Sequence, residues 1–239
     1  MLYMDDLERC YDRTFTATVT EVRPDWVQLD QTLFYPLGGG QNWDTGTLAT
    51  DDGTRQVTEV TKRGPVKHVV GMDHGLQVGD RVEGTIDWPR RYAHMRMHTA
   101  QHLLSGLAYE LFNGARTVGN QIHGDRSRID FNPIDFSNEM LSDLTSAAAD
   151  VVKAAQPIEA VVMTRDDVND RMPAARTNMD LLPKSVQELR VIRIGNDLDL
   201  CPCAGTHVRN TKEIGELEIL SRRSKGQGTQ RIEYQLSEA

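Results

Sequence analysis

His98-Thr99-Ala100-Gln101-His102 is answered far downstream by Cys203-Ala204-Gly205-Thr206-His207, and these two short stretches decide how the chain is read. A helix turns once in about 3.6 residues, so positions i and i+4 lie one above the other, and His98 and His102 present two imidazoles from one face. Cys203 and His207 add a thiolate and a third imidazole. This N/S donor set suits tetrahedral Zn²⁺ better than the oxygen-seeking Mg²⁺ or Ca²⁺. Gly205 lets the backbone fold back so that Cys203 and His207 converge on one point. With all four donors bound the site is closed, and catalysis then needs a fifth position or the loss of one ligand. Two further donors compete on spacing alone. Cys201 lies two residues before Cys203, and His94 lies one turn before His98 on the same face.

The surroundings of the two pairs set the fold. A helix is predicted from Arg90 to Phe112, with Pro89 in its first turn, Leu103, Leu107 and Leu111 at helical spacing, and Leu104, Ala108 and Phe112 widening the stripe. The second pair follows a predicted strand, Glu188–Ile194, and a turn at Gly195-Asn196-Asp197. Between them the pattern gives a hairpin over Asn120–Phe131 and a helix over Ser137–Ala155. Ser137 is its N-cap, Met140, Leu141, Leu144, Ala147 and Ala148 form its apolar face, and Pro157 ends it. A strand at Ile158–Met163, a short helix opening near Thr164 and a closing hairpin around Gly226-Gln227-Gly228 complete an α+β reading.

Upstream, short β-rich runs alternate with turns. Thr14–Val22 and Trp26–Asp30 read as a strand pair, followed by strands at Gly46–Ala49, Gln56–Val60, Lys67–Val70 and Arg81–Ile86. Such spacing favours a small barrel. The period changes from two to 3.6 at Asp87-Trp88-Pro89, which predicts a small N-terminal β-barrel domain over residues 1–88 and an α+β zinc-binding domain over residues 89–239.

Composition narrows the function classes. The 239 residues permit one large or two modest domains. Three cysteines make no even disulfide framework, and a metal-like Cys203 suits a reducing compartment. Met1-Leu2-Tyr3-Met4-Asp5-Asp6 has no basic region followed by an apolar core, and no apolar run approaches the ~20 residues that span a bilayer. The expected setting is the cytoplasm. The formal net charge of −8 argues against a generally basic nucleic-acid binder. Its distribution is uneven, because residues 1–88 carry 15 acidic and 8 basic side chains, net −7, and residues 89–239 carry the other 20 and 19, net −1. Arg90, Arg91 and Arg96 flank the metal helix, and Arg222, Arg223, Lys225 and Arg231 cluster near the C-terminus, as local phosphate-binding patches or as a solvated face.

The chemistry is limited by what is missing. A metalloprotease would carry Glu after the first histidine, where this chain has Thr99, and a nucleobase deaminase would need H-x-E with P-C-x-x-C. An aminoacyl ester is more activated than an amide and asks for less.

At this point a family resemblance enters. The string HTAQHLLS over residues 98–105, CAGTH over 203–207, the run Phe34-Tyr35-Pro36-Leu37-Gly38-Gly39-Gly40-Gln41, the segment Asp125–Phe131 and Val208-Arg209-Asn210-Thr211 occur in the order found in AlaX proteins, free-standing relatives of the alanyl-tRNA synthetase editing domain. The chain resembles the longer form of that family over most of its length. The family often has Gly where this chain has Ala204, a change of little consequence unless that backbone is left-handed.

The resemblance implies His98, His102, Cys203 and His207 as the ligands of Zn²⁺, with Cys201 and His94 in supporting roles. It implies hydrolysis of mischarged tRNA(Ala), chiefly Ser-tRNA(Ala), with Gly-tRNA(Ala) as a second candidate substrate. Size alone separates small side chains by only ~1–3 kcal/mol, so a second hydrolytic site is a physical remedy, and the serine hydroxyl is its handle. Zn²⁺ either activates water or fixes the substrate. Thr99, Gln101 and Thr206 are the catalytic candidates, and Gly38, Gly39, Gly40, Gln41, Arg222 and Arg223 the substrate-binding ones. Two rivals stand beside this reading. One is threonyl-type editing of Ser-tRNA(Thr), disfavoured because that family typically has Pro where this chain has Thr206. The other is a zinc-stabilised RNA-binding module without catalysis.

Overall fold

The computed structural model describes residues 1–173, 176, 179 and 182–237. Its first part is a seven-stranded antiparallel sheet built from β1 (Thr14–Val22), β2 (Trp26–Leu29), β3 (Gly46–Thr50), β4 (Gly53–Val57), β5 (Glu59–Lys62), β6 (Val66–Val69) and β7 (Arg81–Ile86), in the order β4-β3-β7-β1-β2-β6-β5. Alternation decides which face is buried. On β1 Phe15, Ala17 and Val19 point inward and meet Val27, Leu29, Leu48, Val82 and Ile86 around Phe34.

Two expectations need correction here. The single strand predicted over Gln56–Val60 is two strands that pivot at Thr58, whose N–H already bonds Val69 O beside β6. The pivot carries the chain from one edge of the sheet to the other. The predicted barrel is not closed by hydrogen bonds among the described residues, because the edges β4 and β5 are successive pieces of one chain segment and do not pair with each other.

The second part is built around α1 (Trp88–Leu111), which is 24 residues long. Asp87 caps it by accepting from Arg90 N, and Pro89 occupies the first turn, where a missing N–H costs nothing. The helix begins two residues before the predicted start. Met95, Ala100, Leu103, Leu104, Leu107 and Ala108 are buried along it, but Leu111, predicted to extend the stripe, is 47% exposed at the last turn.

Two antiparallel sheets accompany α1. One contains β8 (Arg116–Gln121), β9 (Ser127–Asn132), β13 (Leu217–Gly226) and β14 (Thr229–Leu236) in the order β13-β14-β9-β8, and the other contains β10 (Ile158–Thr164), β11 (Glu188–Ile194) and β12 (Asp199–Pro202) in the order β10-β11-β12. Helix α2 (Asn138–Lys153) is capped by Ser137 as the sequence predicts, and the short α3 (Arg165–Arg171) is capped by Thr164. The change from strand to helix falls at the predicted Asp87-Trp88. Tyr3, Leu7, Cys10 and Tyr35 nevertheless pack in the core of the second part. No helix among the described residues is long and apolar enough to cross a membrane.

Candidate metal centre and its cavity

Helix α1 carries His98 and His102 on one face, and the loop leaving β12 brings Cys203 and His207 against them. The four donor atoms lie within 4.8 Å of one another, so this group could hold a metal ion. Cys203 Sγ is 3.6 Å from His98 Nε2 and 3.4 Å from His207 Nε2. His94 and Cys201 stand outside the group. His94 is buried with Nδ1 unpartnered among the described residues, and Cys201 sits on β12 opposite Ile192, its thiol pushed well up by burial.

Each imidazole is held from behind. His98 Nδ1 lies 2.7 Å from Gln41 Oε1, His102 Nδ1 lies 2.6 Å from Asp199 Oδ2, and His207 Nδ1 lies 3.1 Å from Thr99 Oγ1. An acceptor at Nδ1 keeps the proton there and leaves Nε2 free to ligate, which is the usual outer support of a metal-binding histidine. The Thr99 hydroxyl donates to Met95 O and also receives Val208 N–H, so it is fully employed. Gly205 N–H donates to Cys203 Sγ at 3.3 Å.

Gly205 is required for a reason other than the one the sequence suggests. A Cβ at this position would lie 2.1 Å from His98 Cε1, so close approach excludes a side chain there, and the backbone is not left-handed. Ala204 is not left-handed either, which explains why a methyl group is accommodated.

Electrostatics favour a thiolate. Burial opposes ionisation of the Cys203 thiol, yet the charges of His98 and His207 and hydrogen bonds from His102 and His207 hold it well below its ordinary value. Burial likewise disfavours charge on His102, but Asp199 and Cys203 push it up to about 10. His98 and His207 go down, mainly through burial.

The glycine run enters from the first part. Ile122 N–H donates to Gly40 O at 2.7 Å and Asn42 N–H to Ile122 O at 3.1 Å, which stitches the loop to the β8–β9 connection. Its base is fixed by a fully buried ion pair, Asp44 with Arg91 of α1, and Asp44 also accepts Tyr35 N–H. Gln41 then reaches the centre, where Nε2 donates to Thr206 Oγ1 at 2.9 Å and Oε1 faces both His98 Nδ1 and Thr206 N–H.

His98, His102 and Cys203 open onto a cavity of about 490 Å³, and His207 does not line it. Gly38, Gly39 and Gln101 are on its wall, while Gly40, Gln41, Thr99 and Thr206 lie behind it. Gln101 donates to Ser105 Oγ, which in turn lies 2.6 Å from Thr117 Oγ1. Arg222 and Arg223 are not brought to the cavity. They lie on β13, where Arg222 donates to Phe136 O and Arg223 approaches Glu233 at 3.9 Å. The sequence reading missed Asp199, Ser105, Thr117 and the Lys62 and Arg116 side chains of the wall. Only Asp199 left a signal, a carboxylate four residues before the ligand cysteine.

Comparison with known proteins identifies the family of the chain. Residues 189–233 match the threonyl and alanyl tRNA synthetase second additional domain, and residues 7–90 match the class II (A) tRNA synthetases. The chain is 36% identical to the alanyl-tRNA editing protein AlaX-M of Methanosarcina barkeri over 95% of this chain and 96% of that one, and 35% identical to AlaX-M of Saccharolobus solfataricus over 98% and 97%. It is also 37% identical to the alanine–tRNA ligase of Methanothrix thermoacetophila, covering 97% of this chain but 25% of the ligase. With near-complete coverage of the free-standing relatives on both sides, this chain belongs to the AlaX-M family of alanyl-tRNA editing proteins.

Proposed function

We propose that the protein is a zinc-dependent hydrolase that removes the wrong amino acid from mischarged tRNA(Ala), chiefly Ser-tRNA(Ala), with Gly-tRNA(Ala) as a second substrate. The observation that carries this reading is the convergence of His98, His102, Cys203 and His207 on one point at the wall of a cavity of about 490 Å³. Zn–N bonds of about 2.0–2.1 Å and Zn–S bonds of about 2.3 Å make a tetrahedron with edges of about 3.3–3.6 Å. The donor distances of 3.4 and 3.6 Å at Cys203 fit it. Zn²⁺ held there would polarise a carbonyl or lower the pKa of a bound water.

The chain's own residues prepare the site. Gln41, Asp199 and Thr99 orient the three imidazoles, and Thr206 acts through Gln41. Gln101, on the wall, is the catalytic candidate that meets the substrate directly. Asp199 is the one carboxylate on the wall among the described residues, and it is occupied by His102 with Arg176 at 3.9 Å. A cavity without a free carboxylate base suits an activated ester better than a peptide amide. Gly38 and Gly39 bring backbone close to the bound amino acid. Residues 1–88 serve as a barrel-like support that delivers this loop, and residues 89–239 carry the metal. Arg222 and Arg223 would meet the tRNA outside the cavity.

Deacylation assays with Ser-, Gly- and Ala-tRNA(Ala) and with Ser-tRNA(Thr) test the reading. Ser-tRNA(Ala) should be cleared and Ala-tRNA(Ala) spared. Preferential clearance of Ser-tRNA(Thr) would reassign the tRNA, and no hydrolysis by fully zinc-loaded protein would leave a binding module.

A further inference from the structure

Arg116 stands apart from the other arginines that follow residue 89. Each of those described has a hydrogen-bond or ion-pair partner, in an acidic side chain, an amide or a carbonyl, whereas Arg116 at the start of β8 has none among the described residues. The Lys62 side chain, at the last residue of β5, is likewise unpartnered among the described residues. Both are exposed, both line the metal cavity, and they come from different sheets in the two parts of the chain. The single carboxylate on the same wall among the described residues, Asp199, is already paired. In a chain of net charge −8, the wall of this cavity therefore holds two cations, Lys62 and Arg116, without counter-charge among the described residues. Such a pair is ready for an anion attached to whatever enters, with Arg offering a planar fork and Lys a point charge.

We propose that Lys62 and Arg116 together seat the last phosphodiester of the tRNA 3′ end, the one bonded to the 5′ oxygen of the aminoacylated ribose. The assignment rests on the aminoacyl-tRNA substrate proposed above and moves the closest phosphate contact from Arg222 and Arg223 to the cavity itself. Neutralising one group of such a charge-assisted contact loses roughly ten- to a hundredfold in affinity.

The test measures binding of two RNA trinucleotides, both cytidylyl-cytidylyl-adenosine, one with normal linkages and one with a neutral methylphosphonate at the final linkage. Zinc-loaded wild-type protein should bind the charged probe roughly ten- to a hundredfold more tightly. In Lys62→Met/Arg116→Met that preference should vanish, as expected when probe and side chains form one contact. A wild-type protein indifferent to the linkage, or a double variant that keeps the preference, overturns the seat. The probe comparison on wild-type protein needs no variant to fold. Deacylation of Ser-tRNA(Ala) measured in parallel separates the two ideas. Absent deacylation with intact linkage preference removes the hydrolase reading alone, and intact deacylation without linkage preference removes the phosphate seat alone.

Discussion

Gln41 Oε1 lies 2.7 Å from His98 Nδ1, and this contact joins the glycine loop of the first part to a metal-ligand candidate on α1. The same amide also holds Thr206 by its N–H and its hydroxyl, so one fully buried side chain organises both donor pairs. Gln41→Ala should free the His98 ring and leave Thr206 unpaired. Loss of such an outer partner costs roughly 10–100-fold in metal affinity. Zinc affinity measured by chelator competition should fall by that amount, and an unchanged affinity would show that His98 is oriented by packing alone.

Gly205 and Ala204 should respond in opposite ways to a change of one methyl group. Gly205→Ala places a Cβ 2.1 Å from His98 Cε1, which no rotamer change relieves, because the atom belongs to the ligand ring itself. Elemental analysis should find far less than stoichiometric zinc. Ala204→Gly changes a backbone position that is not left-handed, so zinc content and activity should stay at wild-type level.

Acid and base should act differently on the metal-free protein. The Cys203 thiol and the His98 and His207 imidazoles are held below their ordinary values, so folding releases their protons, and stability is lost as pH falls below about 6.5. His102 is raised from 6.5 to about 10, so its contribution is fully present below 6.5 and is lost as pH rises through 10. Between 6.5 and the ordinary thiol value of 9.0 the rising Cys203 contribution and the falling His102 contribution cancel. Thermal midpoints of chelated protein should therefore fall in acid, stay level from about 6.5 to 9, and fall again towards 10. Asp199→Asn should make the alkaline limb shallower without abolishing it, because burial also holds the Cys10 and Cys201 thiols above their ordinary value, and an unchanged slope in that variant would assign the limb to those thiols alone.

Arg190 braces the ligand loop from β11. Its Nη1 donates to Cys203 O at 2.7 Å and Gly205 O at 3.1 Å, while Nε and Nη2 are buried without partners among the described residues. A buried cation so incompletely satisfied contributes little to folding, and an apolar replacement is often neutral or stabilising. Arg190→Met should leave the thermal midpoint of the chelated protein unchanged or higher, yet lower zinc affinity about tenfold through loss of the loop contacts. A large fall in that midpoint would make Arg190 a fold residue instead.

What the sequence made legible follows from the range of each interaction. His98 and His102, or Cys203 and His207, are close in the chain, so local geometry exposes each pair. Gln41 with His98 and Asp199 with His102 span 57 and 97 residues, and no periodicity connects them. Arg91 reads from sequence as part of a basic patch, but its buried pairing with Asp44 makes it an anchor for the glycine loop. The pivot at Thr58 was hidden because β4 and β5 form one continuous β-rich run. Arg222 and Arg223 attracted a phosphate-binding reading by their charge, which does not reveal that Phe136 O and Glu233 already engage them.

The three glycines of the loop should separate into three behaviours. Gly38 has ordinary backbone and room for a Cβ, with its nearest neighbour, Tyr35 Oη, at 3.8 Å, and it lines the cavity. Gly39 also lines the cavity but has φ +56, which a β-branched side chain resists. Gly40 has φ +86 and a Cβ position 1.6 Å from Asn120 Oδ1, so a side chain there strains the backbone and must displace the Asn120 side chain of β8. Gly38→Ala should keep zinc and thermal stability while altering the ratio of Ser-tRNA(Ala) to Ala-tRNA(Ala) hydrolysis. Gly39→Val should disturb Ser-tRNA(Ala) hydrolysis more than zinc content, with a modest loss of stability from backbone strain. Gly40→Ala should lower stability, and with it activity, through displacement of Gln41 from His98. Measuring zinc, thermal midpoint and both deacylation rates for each variant distinguishes these outcomes. A Gly38→Ala protein with wild-type rates on both tRNAs would remove the loop from amino-acid selection and leave it as the turn that delivers Gln41.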